Sequence, residues 1–171
     1  METDRSISRI HVLSQEEGKH IWFLGTLVTI KAAAENTAGG MSLIEQVAPP
    51  GFAPPLHVHH KEDEPFYVLE GRVTFFPGEQ VVRATTGTFV LLPKDVPHTF
   101  RVEGPDAARL LQITYPAGLE EFFEEVGEPA PSPTLPPPSV PDIEKLAEKL
   151  AALSAKYDVE ILGPPQDRGG G

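Results

Sequence analysis

The sequence predicts an all-β fold, an antiparallel sandwich or jelly roll, followed by a helical extension at the carboxy terminus. Three observations predict it. Residues 20–116 fall into short runs rich in β-branched and aromatic residues, each ended near Gly or Pro. No helical period links those runs. After Tyr115 the pattern changes, first to helical spacing and then to proline.

Residues 1–19 read as an amino-terminal extension, and the barrel is expected over 20–116. Its first run, Ile21–Ile30, is apolar and reads as one buried strand. It imitates a secretion signal, but Glu2, Asp4, Glu16 and Glu17 precede it where a signal needs a basic start. Further strands are expected at Met41–Ala48, Phe66–Glu70, Arg72–Phe76, Gln80–Ala84, Thr88–Leu92, Thr99–Val102 and Arg109–Tyr115. Pro77-Gly78-Glu79 is a hairpin signal between two of them. Many short strands of this kind suit a jelly roll.

Leu119, Phe122, Phe123 and Val126 then recur at helical spacing, which predicts a short helix within 117–128. Residues 129–141 (PAPSPTLPPPSVP) predict an extended strap without internal hydrogen bonds. Its P-x-x-P spelling at Pro133–Pro136 is better read as surface strap than as docking motif. Over 142–163, Ile143, Leu146, Leu150 and Leu153 form one helical stripe, with a tail strand after it. Residues 164–171 are expected to be a disordered tail.

A chain of 171 residues suits one domain with additions. Fourteen basic against 25 acidic residues give a formal charge of −11, which argues against nucleic acid as a partner. With no cysteine, thiol nucleophiles and thiolate ligands are excluded. No run reaches the roughly 18–20 apolar residues of a membrane span, so no membrane partner is expected. A cytoplasmic location is expected.

The chemistry concentrates in GFAPPLHVHHKEDEPFYVLEG, residues 51–71. His57 and His59 are two apart, so on a strand both imidazoles share one face while Val58 and His60 point away. Glu64 follows across the turn Lys61-Glu62-Asp63, a run read as solvated apart from Glu64. His98 lies downstream after Gly87 and Pro93. Three neutral imidazoles and a carboxylate suit one divalent transition metal: iron, nickel, cobalt, manganese or copper, with zinc possible. Four protein ligands on an octahedral ion leave room for a substrate oxygen and for water or dioxygen. By strand parity, Phe66 and Val68 face inward with Glu64, and Val96 and Phe100 face inward with His98. These four are the expected pocket residues. His60 is expected at the surface or behind the ligands. His11 and His20 are expected to be structural.

This stretch resembles the cupin family. The family's first motif, G-x5-H-x-H-x3or4-E-x6-G, is matched by Gly51, His57, His59, Glu64 and Gly71. The second, G-x5-P-x-G-x2-H-x3-N, is matched by Gly87, Pro93 and His98. It departs at Asp95 and Val102, where the family has Gly and Asn. The resemblance implies a jelly-roll barrel with His57, His59, Glu64 and His98 as metal ligands, and a homodimer. The stretches PPGFAPPLHVHHKEDEPFYVLEG, YPAGLEEFFEEVGEPAP and YDVEILGPP resemble small single-cupin proteins grouped with quercetin 2,3-dioxygenases. That implies a metal-dependent dioxygenase of a flavonol-like, phenolic or enolic small molecule, with dioxygen as co-substrate and Glu64 as both ligand and catalytic base. A non-oxidative cyclase, isomerase or lyase on a metal-bound enolate is the first alternative. A binding module without turnover is the second.

Overall fold

The computed structural model describes residues 10–139 and 143–166. The start of the 1–19 extension, the end of the strap and most of the 164–171 tail lie outside the described residues. Two β layers face each other. One holds seven strands: β1 (Lys19–Phe23), β2 (Thr26–Ala32), β3 (Ser42–Ala48), β5 (Glu64–Glu70), β8 (Phe89–Leu92), β10 (Ala108–Thr114) and β11 (Glu128–Pro129). Their order is β11-β1-β2-β3-β10-β5-β8. The other layer holds β4 (Leu56–His59) with β12 (Val159–Gly163), and β6 (Arg72–Phe75) with β7 (Val82–Thr85) and β9 (Phe100–Val102). A bridge between His57 and His98 joins these two parts, with backbone bonds of 3.1 and 2.8 Å. Among the described residues three helices complete the order: α1 (Ala34–Thr37), α2 (Leu119–Val126) and α3 (Ile143–Lys156). The jelly roll with a carboxy-terminal helix expected from the sequence is the fold observed.

One strand assignment is corrected. Ile21–Ile30 is not a single strand but the hairpin β1–β2. Leu24 and Gly25 turn the chain with φ of 50° and 85°. Two successive positive φ values make the tight turn whose twist matches paired strands. The continuous apolar run hid it, because both strands are largely buried. The apolar residues feed a core in which Ile21, Phe23, Val28 and Ile44 meet Leu119, Phe122, Phe123 and Val126 of α2. Leu146, Leu150, Leu153 and Tyr157 of α3 pack against that same cluster. A second core, with Phe66, Phe75, Leu92, Phe100 and Leu110, fills the barrel between the layers.

The proline segment lies along β1. Ala130 N donates to His20 O, and the Trp22 indole Nε1 donates to Thr134 O at 2.8 Å. It is not free of internal bonds: Thr134 N donates to Ser132 O at 2.8 Å. Among the described residues no helix is long and apolar enough to cross a membrane.

Candidate metal centre

β4 is a short strand, and its period of two sets His57 and His59 on one face. His60 falls on the other side, exposed, between Asp95 Oδ1 at 2.7 Å and Glu160 Oε2 at 3.0 Å. Glu64 opens β5 in the opposite layer, and His98 precedes β9. The sheet folds over itself, so the side chains of His57, His59, Glu64 and His98 bring their ligand atoms within 4.8 Å of one another.

Each imidazole is fixed through Nδ1. His57 Nδ1–H donates to Pro55 O at 2.7 Å, His59 Nδ1–H to Glu62 Oε1 at 2.9 Å, and His98 Nδ1–H to Val96 O at 2.9 Å. An acceptor at Nδ1 selects the tautomer with its lone pair on Nε2. Nε2 of His98 lies 2.9 Å from Glu64 Oε2, and Nε2 of His59 lies 3.4 Å from the same oxygen. His59 Nε2 is buried with no hydrogen-bond partner. Lone-pair nitrogens and a carboxylate oxygen thus crowd one point, an arrangement that a cation resolves. The other oxygen of Glu64, Oε1, accepts a short bond from Gln112 Nε2.

The electrostatics agree for His57 and Glu64. Burial, with His98 and His59 beside it, pushes His57 down to about 3, so its ring is neutral. Burial works to raise Glu64, but His59 and the bond with His98 prevail and hold it down to about 2. Burial works downward on His59 too, yet Glu64 and Glu62 carry it above its ordinary value. The residues fit a divalent metal ion, and the nitrogen and oxygen donors accept iron, nickel, cobalt, manganese, copper or zinc alike.

The four candidate ligands line a cavity with about 620 Å³ of empty space, counting its open mouth. Phe66 and Phe100 line it. Val68 and Val96 do not. Val68 shares the parity of Glu64 but lies four residues further along β5, in the barrel core. Val96 sits in the turn after Asp95, where strand parity has already broken, and contributes its carbonyl to His98. Asp95 has φ 64°, a left-handed conformation that glycine adopts freely and aspartate tolerates.

Three features of the site escaped sequence reasoning. Glu62 was assigned to a solvated turn but is buried against His59. Gln112 reaches Glu64 from β10, where a glutamine at an inward position of an apolar strand was the available signal. The third is the far wall, in which Phe122 of α2, Leu150 of α3, and Val159 and Ile161 of β12 line the cavity.

The sequence profile of the Cupin domain matches residues 44–114, a span that contains all four candidate ligands. The chain carries a cupin domain. It is 26% identical over 155 residues to Quercetin 2,3-dioxygenase of Bacillus subtilis (strain 168), covering 90% of this chain and 44% of that protein. It spans less than two thirds of the curated relatives it matches. Among solved structures it is similar to an RmlC-like cupin from Shewanella frigidimarina NCIMB 400, with a TM-score of 0.54 and 20% identity over 67% of this chain and 96% of that one. It is also similar to KdgF from a Halomonas species, with a TM-score of 0.53 and 16% identity over 59% and 89%. At these identities the two structures speak for the fold.

Proposed function

We propose that this protein is a metal-dependent dioxygenase that opens a flavonol-like, phenolic or enolic substrate. One observation carries the reading: three imidazoles held through Nδ1 and one carboxylate converge, Nε2 atoms inward, in the lining of an aromatic-walled cavity. The likeness to a quercetin 2,3-dioxygenase over nine tenths of the chain supports it. Held by His57, His59, Glu64 and His98, a divalent ion would supply Lewis acidity to a substrate hydroxyl and a place for dioxygen. The chain's own groups do the rest. Phe52, Phe66, Phe100 and Phe122 give flat faces for an aromatic ligand and exclude water. Glu64 receives the hydroxyl proton at Oε2, while Gln112 holds Oε1 fixed. The same likeness implies that ring opening expels carbon monoxide.

The test is metal analysis of wild type and His98→Ala, with oxygen uptake on quercetin in parallel. The expected result is one ion per chain, lost in the variant, and uptake that depends on it. Metal without uptake on any flavonol or simple enol would overturn the oxidative reading in favour of a cyclase, isomerase or lyase. No metal after reloading would overturn the site.

As partner we propose a second copy of the chain. Strand β8 ends its sheet and turns Phe89 and Leu91 to solvent beside Tyr67 of β5. An exposed apolar edge of this kind needs cover. The apolar residues of the Ile21–Ile30 run and the carboxy-terminal helix pack within the chain and leave that edge to a partner. Light scattering that gives 18.6 kDa in solution would sink the dimer.

A further inference from the structure

Glu62 stands in a run of charged residues, between exposed Lys61 and half-buried Asp63, yet it is 2% exposed. It does not line the cavity, so it meets no substrate. Its carboxylate turns inward, and Oε1 accepts the Nδ1–H of His59 at 2.9 Å. Burying a carboxylate costs several kilocalories per mole unless it is paired. A turn residue with water within reach has no need to accept that cost.

The three ligand histidines differ in one respect. Neutral backbone carbonyls, Pro55 O and Val96 O, hold His57 and His98. His59 alone is held by a charged acceptor. A carboxylate behind an imidazole strengthens its Nδ1–H bond and pushes electron density to Nε2, making it a better donor to a cation. Glu62 and Glu64 together also place two negative charges in a buried site, matching a divalent ion.

We propose that Glu62 is a positioning residue that sets the metal affinity of the site through the charge it places behind His59. The proposal rests on the reading of the four residues as a metal centre.

Glu62→Gln separates charge from shape. Its Oε1 still accepts the Nδ1–H of His59, so a purely geometric role predicts no change. The full chain is stripped and reloaded with Co²⁺, and affinity is read by competition with a chromophoric chelator. Glu62→Gln is expected to bind about tenfold more weakly, and Glu62→Leu up to about a hundredfold. The metal-free melting temperature of Glu62→Gln should stay close to wild type. Wild-type affinity in Glu62→Gln overturns the proposal. Where the variant does not fold, proton NMR of the unmutated protein loaded with Zn²⁺ decides. The His59 Nδ1–H resonance should lie downfield of those of His57 and His98, and coincident resonances overturn the proposal. A wild-type chain that takes neither ion ends the metal reading itself, and that result is visible before any variant is made.

Discussion

Asp95 shows how a single residue can depart from a family pattern without disturbing the site. It stands where the motif has glycine, and it adopts the left-handed backbone that glycine would. Its N–H donates to His59 O at 2.8 Å, and its Oδ1 accepts from His60, so the turn is tied to β4 on both sides. Backbone demand dominates here, since the His60 contact is exposed. Asp95→Gly is therefore expected to melt within a degree or two of wild type. Asp95→Val puts a β-branched side chain at positive φ and should lose about 1–2 kcal/mol, or roughly 2–8 °C in a domain of this size. A valine variant as stable as the glycine one would refute the strain argument. Gln112 has a different burden. Gln112→Leu leaves a fully buried carboxylate oxygen without its donor, at a cost of about 1–3 kcal/mol. Denaturant titration of the metal-free protein measures it.

At the scale of elements, the carboxy-terminal unit is part of the site rather than an appendage. β12 pairs with β4 in a register that sets Val159 against His59 and Ile161 against His57. α3 returns over α2, where Glu125 accepts bonds from Lys156 Nζ and Tyr157 Oη. Those bonds, Lys156 first, hold the exposed Glu125 carboxyl below the usual carboxylate range. A depressed folded pKa means the contact stabilises fully above the unfolded value and is lost as pH falls through the folded one. Acidification below the ordinary carboxylate range should therefore speed amide exchange in 143–163 before it does so in the barrel. Glu125→Gln should remove that difference, and uniform exchange across chain and pH would contradict it. These elements also mark what the sequence disclosed. The four candidate ligands were legible as a cluster because a strand's period and a fixed spacing are local. Phe66 and Phe100 followed from the same parity. The hairpin at Leu24-Gly25 was hidden because two buried strands in succession read as one apolar run. The contact of Gln112 and the pairing of the tail strand β12 were out of reach for a further reason: their partners lie 48 and about a hundred residues away, a distance no periodicity spans. Glu62 carries the same letter whether it faces water or His59.

For the whole molecule, what matters is how the four candidate ligands divide between the layers. His57 and His59 belong to β4 and His98 to the segment bridged to it, while Glu64 belongs to β5 in the opposite sheet. An ion at their centre would tie one sheet to the other at a place where the two-stranded β4–β12 piece otherwise holds on by few hydrogen bonds. The unfolded chain lacks that geometry, so binding favours the folded state. At free metal about a thousandfold above Kd the gain is about 4 kcal/mol, or roughly 8–16 °C in melting temperature for a chain of this length. EDTA should reverse the rise. His98→Ala keeps His57, His59 and Glu64 but loses the ligand nearest Glu64 Oε2, so its melting temperature should respond little to metal or chelator. A similar rise in that variant would mean that the ion stabilises the fold from some other site, and the clamp between sheets would have to be abandoned while the barrel and its cavity stood.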